Sequence, residues 1–269
     1  MRVVFFAHSG FQRDPLFRYM FSHVAERFQD SRVVAVQARS TNMRGRIHSL
    51  NWKRQRFGWQ YFLGVLTGYP LKVVLLSRDF AIVERRLAEL PQPRFDISDS
   101  DAVWVETTNG PSTVRVIRDL QPDVLVHAGA GIIRPPVLEV PRAGTLNLHA
   151  GIAPPIRGLQ SIHWALLEGR PDWAGSTVHF VDSGIDTGTP LAYHKIADVT
   201  GRTYSELFVD AIEGGVRNLV AVLERLEAGE RWEIPFEGES TYRSSITGWK
   251  LLRLRILHRP GPRRRWGRA

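Results

Sequence analysis

Short apolar runs recur along the first half of the chain, and they constrain the fold more than any other feature of the sequence. They read RVVFFA (2–7), RVVAVQ (32–37), AVWV (102–105), DVLVHA (123–128) and GTLNL (144–148). Val-rich runs of this length are strand-like. Helices are expected between and after them, over 14–28, 79–89, 111–120 and 203–227, the last two with apolar residues at helical spacing and the last opened by Thr203 and Glu206 as a capping box. Strands alternating with helices predict an α/β protein, a Rossmann-like, mostly parallel sheet flanked by helices.

Beyond residue 148 a Gly- and Pro-rich loop leads to a short helix around Trp164. STVHFVDS and PLAYHKIA follow as strands joined through GIDTG. The organisation expected is a catalytic domain over 1–202 and a C-terminal helix with a basic appendage over 203–269. The 38–78 region is ambiguous, and Gly64, Gly68 and Pro70 suggest a hairpin over 59–77. The same Gly and Pro residues, with Lys72, argue against a membrane span there. The N-terminal MRVVFFAHSG is too short in apolar residues for a secretory leader and reads as a first buried strand. With 43% hydrophobic residues in 269 the chain can bury a sizeable core. It has no cysteine, which removes disulfides and thiolate metal sites and suits a cytoplasmic location.

Charge is distributed unevenly. Residues 240–269 carry nine Lys or Arg and no acid, a charge equal to the net +9 of the whole chain. Residues 31–78 are a second acid-free block with nine basic side chains.

In open α/β sheets ligands bind beyond the carboxyl ends of the strands, which is where Asn147 and His149 fall. Strand alternation turns both to one face, with Leu148 directed away. An amide N–H and an imidazole aimed at one point suit a developing oxyanion, and the imidazole can also carry a proton. DSGIDTG supplies Asp186 between glycines as the group that holds the ring. Taken singly, an Asn at a strand end is more often a turn former, and a lone His more often structural. The joint order N-x-H, P-x-x-R-G, T-x-H and G-I-D-T-G favours the functional reading.

The stretch LNLHAGIAPPIRGLQSIHWALLEGRPDWAGSTVHFVDSGIDTGTPLAYHKI, with LQPDVLVHAGAGIIRPPVLEVP before it, resembles the formyltransferases that use 10-formyltetrahydrofolate. That family includes glycinamide ribonucleotide transformylase, methionyl-tRNA formyltransferase and the sugar N-formyltransferases. The likeness is strong over about 115–197, while the first hundred residues match in layout alone. It implies the formyltransferase fold, and a catalytic Asn147, His149 and Asp186 that act without a metal. It also implies that the co-substrate 10-formyltetrahydrofolate lies against Ala128, Gly129, Ala130, Gly131, Ile132, Ile133 and Arg134, and against Ser183, Gly184, Ile185 and Thr187. His8, Arg157, Gly158 and His179 are assigned to the acceptor side, Arg157 and Gly158 chiefly as shapers of the loop.

HSGFQRD stands where the glycinamide ribonucleotide enzymes carry a phosphate loop, which disfavours that acceptor. The residues after about 205 are few for the barrel domain of the methionyl-tRNA enzymes. The loop variant HAGIAPPIRG then points to a small-molecule amine acceptor, a nucleotide-linked amino sugar of polysaccharide biosynthesis, with Arg39, Arg44, Arg46, Lys53, Arg54 and Arg56 facing its diphosphate. Methionyl-tRNA or another small amine is the alternative. An alternative of another class is a non-catalytic protein that retains the fold and binds a membrane or nucleic acid through its tail. Leu251, Leu252, Leu254, Ile256 and Leu257, interleaved with arginines and followed by Trp266, suit peripheral contact with an anionic membrane; a solvated tail and nucleic acid are the competing readings. A homodimer is expected by analogy.

Overall fold

Alternation within the first strand, β1 (Val3–Ala7), sets the architecture. Val3, Phe5 and Ala7 enter one apolar cluster and Val4 and Phe6 another, so both faces of the strand are covered. A computed structural model describes residues 1–37, 43–93, 95, 97–236 and 239–257; for 43–54, 56, 57 and 60–62 it describes the backbone alone. Helix α1 (Pro15–Arg27) is capped by Asp14, whose carboxylate accepts from the Leu16 N–H. Strand β2 (Ser31–Val36) and helix α2 (Met43–Glu89) follow, then β3 (Ala102–Val105), α3 (Pro111–Asp119), β4 (Val124–Ala128), α4 (Pro135–Leu138) and β5 (Gly144–His149).

These five strands run parallel in the spatial order β3-β2-β1-β4-β5. The order reverses between β1 and β4, which opens a crevice at their carboxyl ends. Strands β7 (Gly175–Phe180) and β8 (Pro190–Lys195) extend the sheet antiparallel beyond β5. Helices α1 and α6 (Tyr204–Glu227) and the end of α2 cover one face, where Phe17, Phe21, Leu87, Ile212, Leu219 and Leu223 meet Phe5 and Val126. Ile117 of α3 and Val137 of α4 cover the other. Thr203 and Glu206 form the expected capping box, each side chain bonded to the other's backbone N–H. The core therefore runs on through α6, past residue 202.

The five expected parallel strands appear within a residue of their expected ends and the two later ones stop two or three residues early, but 59–77 is no hairpin. It is the middle of α2, in which two helical stretches meet at Gly58 (φ 79°). The glycines that suggested turns serve close helix contact instead. A Cβ on Gly68 would lie 3.1 Å from the Gly248 nitrogen and 3.2 Å from the Trp249 ring in α7 (Gly248–Leu257). Beside α5 (Ser161–Leu167), the short strand β6 (Ile156–Gly158) pairs with β9 (Thr241–Arg243), and α7 continues from it. The first part of the expected free tail is therefore packed, with Leu251 and Leu254 buried. Trp266 and residues 258–269 lie outside the described residues, as does Arg39. No helix among the described residues is long and apolar enough to cross a membrane.

Candidate active site

Strand β5 lies between two strands that each place a histidine beside Asn147. His127 of β4 is its partner on one side and His179 of β7 on the other, while His149 pairs with Thr177. The sequence spacing N-x-H puts Asn147 and His149 on the same face, as alternation requires. The Asn147 amide bridges the row: Oδ1 is 3.2 Å from His127 Nδ1, and Nδ2 is 3.1 Å from His179 Nε2. His179 Nδ1 lies 2.7 Å from the Phe180 carbonyl, which can only accept. That contact assigns the ring proton to Nδ1 and leaves Nε2 to accept from Asn147.

Asp186 enters from the β7–β8 connection with φ 50°, a left-handed conformation that Asp tolerates. Its Oδ1 is 3.4 Å from Asn147 Nδ2 and 3.6 Å from His179 Nε2. Its Oδ2 accepts from the Gly158 N–H at 2.9 Å and is 3.5 Å from His149 Nδ1. Burial alone would raise its pKa; the His179 and His149 rings in their protonated forms and the Gly158 N–H outweigh burial and hold the carboxyl well below the usual carboxylate range. For His149, burial dominates and lowers the pKa from the ordinary histidine value, against the attraction of Asp186 and with the help of His179. His149 Nε2 reaches Ser161 Oγ at 3.0 Å. An anionic carboxylate, a neutral imidazole and an amide N–H thus converge in a site where charge is poorly screened.

The loop residues expected near the site fall at the strand ends. Gly129 (φ 85°) and Gly131 (φ 90°) adopt backbone that L-side chains rarely take, and a Cβ on Gly129 would lie 3.0 Å from the His8 ring. The loop after β4 is fixed by its carbonyls: Ala130 accepts from Thr108 at 2.5 Å, Gly131 lies 3.0 Å from His127 Nε2, and Ile132 accepts from Asn109 at 2.8 Å. The Ile132 side chain is exposed, whereas Ile133 is buried in the core under α3 and offers only main chain. The Arg134 N–H donates to Asn109. Ser183, Gly184 and Thr187 lie in the exposed turn that carries Asp186, where Asp182 accepts from the Gly184 N–H and the Thr187 hydroxyl. Arg157 ties this turn to the appendage through Ile185 O at 2.9 Å and Ser240 Oγ at 2.7 Å. A Cβ on Gly158 (φ 98°) would collide with the Arg243 carbonyl. His8 is engaged with Asp14 at 3.0 Å and with the Gly10 N–H. Of the basic residues expected to face a diphosphate, Arg44, Arg46, Lys53, Arg54 and Arg56 lie on α2 where only the backbone is described.

Two residues of this cluster carry no motif. His127 and Ser161 stand beside Asn147 and His149, and only the β4–β5 register and the turn into α5 bring them there. His127 touches two acceptors, and a neutral ring can donate to one of them at a time. Burial lowers its pKa, opposed by its bonds to Asn147 and Gly131.

The fold and site are those of a Rossmann-like sheet that gathers Asn, His and Asp at the carboxyl end of its strands. The chain belongs to the formyl transferase family, whose model matches residues 72–223. It is similar to a methionyl-tRNA formyltransferase of Chromobacterium violaceum, 38% identical over 61% of this chain and 54% of that protein. The chain spans about half the length of the curated relatives it matches. Among solved structures it resembles a sugar N-formyltransferase from a Shewanella species (TM-score 0.53, 14% identity, 91% of this chain and 77% of that one). It also resembles HypX from Aquifex aeolicus in complex with tetrahydrofolic acid (TM-score 0.53, 16% identity, 95% of this chain and 31% of that one).

Proposed function

We propose that the protein transfers a formyl group from 10-formyltetrahydrofolate to a primary amine. The convergence of Asn147, His149 and Asp186 at the strand ends of a chain from this family carries the reading. The glycine-bearing loop 128–134 fits the co-substrate's pterin, because exposed main chain at Gly129 and Gly131 permits close approach and its carbonyls are held before a ligand arrives. The bound folate supplies a formyl carbon already activated by its attachment to nitrogen.

The acceptor amine attacks that carbon, forming the new C–N bond. The Asn147 N–H stabilises the oxyanion that develops. His149, neutral at rest, takes the proton shed by the amine, and as an imidazolium it donates to the oxyanion. Asp186 stabilises that imidazolium through Nδ1. Collapse breaks the old C–N bond, and His149 returns the proton to the leaving nitrogen, so protons and charge balance.

The acceptor in this reading is a nucleotide-linked amino sugar, supported by the HAGIAPPIRG form of the loop. Methionyl-tRNA is a second reading, favoured by the names of the sequence relatives. Tetrahydrofolate release, measured with nucleotide-linked amino sugars, glycinamide ribonucleotide and methionyl-tRNA in parallel, separates them. Release with an amino sugar alone supports the first reading, and release with the tRNA alone replaces it. Failure to bind the folate sinks the proposal.

A further inference from the structure

Helix α2 is apolar on two adjoining faces. One is buried: Leu76, Val83 and Leu87 enter the cores, and Gly68 lies against α7. The other is open. Leu63, Leu66, Tyr69, Val73, Val74 and Phe80 are 41–57% exposed and fall on one side at helical spacing. This stripe extends for about 25 Å at roughly 1.5 Å per residue. Ile256 and Leu257 add exposed apolar surface at the end of α7. A contiguous apolar strip of this size marks an interaction surface.

Charge says what covers it. The two acid-free segments, 31–78 and 240–269, carry eighteen Lys or Arg between them, whereas the rest of the chain carries eighteen against twenty-seven acids. Among the described residues the fold brings parts of these segments together. Trp249 Nε1 donates to Thr67 Oγ1 at 3.1 Å, Lys72 Nζ to Ser245 Oγ at 2.5 Å, and Arg255 to the Leu75 carbonyl at 3.2 Å. Arg255 also pairs with Asp79 at 2.5 Å, which anchors α7 to α2 and lies just beyond the acid-free block.

We propose that the α2–α7 face docks on an anionic lipid bilayer. An exposed apolar stripe on a strongly cationic element suits the lipid–water boundary, where side chains such as these enter the acyl region and Lys and Arg meet acidic headgroups. A second copy of this chain would bring two surfaces built largely from cationic segments face to face, and like charges oppose that pairing. Nucleic acid satisfies the charge, but its interfaces are more polar than a stripe of Leu, Val, Tyr and Phe. The inference is independent of the formyl-transfer reading, since vesicle binding needs neither folate nor acceptor.

The test is flotation of the full chain with vesicles of equimolar phosphatidylglycerol and phosphatidylcholine, beside vesicles of phosphatidylcholine alone. Binding to the acidic vesicles, weakening with salt, is expected. Leu63→Ser combined with Val73→Ser should weaken that partition about tenfold or more while leaving the thermal melt intact, and Arg253→Glu should weaken it less. Absence from the acidic vesicles, or flotation that the stripe variants leave unchanged, overturns the proposal. So does a dimer in light scattering that the same variants dissociate, or capture of structured RNA by a chain that ignores both vesicle types.

Discussion

The sheet end and the α2–α7 face are built on opposite plans. At the sheet end every functional group is polar, partly or fully buried, and bonded to another before any substrate arrives; Asn147 alone touches His127, His179 and Asp186. On the α2–α7 face the side chains are apolar and open, and the segments that build it, 31–78 and 240–269, contain cations and no acids of their own. The first arrangement fixes geometry, which chemistry on one carbon requires; the second offers area and charge, which suffice for adhesion. Catalysis and attachment should therefore respond to separate substitutions.

The largest effect should come from Asn147→Ala. Loss of an oxyanion donor costs about 100- to 1,000-fold in rate, which steady-state kinetics would show as a fall in kcat larger than any change in KM. Asp186→Asn removes the carboxylate that raises the His149 pKa against burial. The wild-type kcat/KM profile should fall on its acid side below the ordinary histidine pKa, and in the variant that limb should move to still lower pH while the rate drops. A limb at or above the ordinary value would contradict the assignment of His149 as a base that is neutral at rest.

A buried histidine outside the site sharpens the contrast. His163 is 1% exposed, stacks on Tyr204 at 3.6 Å between centroids, and neither ring nitrogen has a hydrogen-bond partner among the described residues. Burial, with a smaller contribution from Arg255, lowers its pKa to about 3. The folded value is depressed, so the unfolded chain takes up the proton first. The resulting stability is present above the unfolded pKa near about 6.5 and is lost as pH falls from there toward about 3. At pH 5 the loss is on the order of 2 kcal/mol. His163→Phe should flatten that acid limb in denaturant titrations without touching turnover at neutral pH.

Smaller effects follow at the edges of each plan. His127→Leu should slow turnover by about tenfold through a looser Asn147, on the scale of one lost hydrogen bond. His127→Gln, which can still donate to Asn147, should recover most of that loss. Leu63→Ser with Val73→Ser should leave turnover of a soluble acceptor within about twofold, since exposed substitutions away from special features change little. A large loss there would merge the two regions into one functional unit.

Much of the frame was legible because buried parallel strands are written as short apolar runs. β3 matches its expected range, and β1, β2, β4 and β5 lie within a residue of theirs. The helix at 59–77 was not legible for the reason that makes its surface interesting. Apolar residues on both the buried and the open face erase the 3.6-residue period, and Gly64, Gly68 and Pro70 look like breakers until α7 is set against them. At the site, Asn147, His149 and Asp186 stood in local motifs, and the structure gathers them. His127 had no such signal: its place beside Asn147 depends on the register between β4 and β5, which no short stretch encodes.

The central claim is that the Asn147–His149–Asp186 cluster moves a formyl group. The most direct measurement is mass spectrometry of the acceptor after incubation with isotopically labelled 10-formyltetrahydrofolate, using wild-type protein and Asn147→Ala. The account predicts a labelled formyl group on the acceptor nitrogen with the wild type, formed about a hundredfold or more slowly by the variant. Equal labelling by both proteins would contradict it.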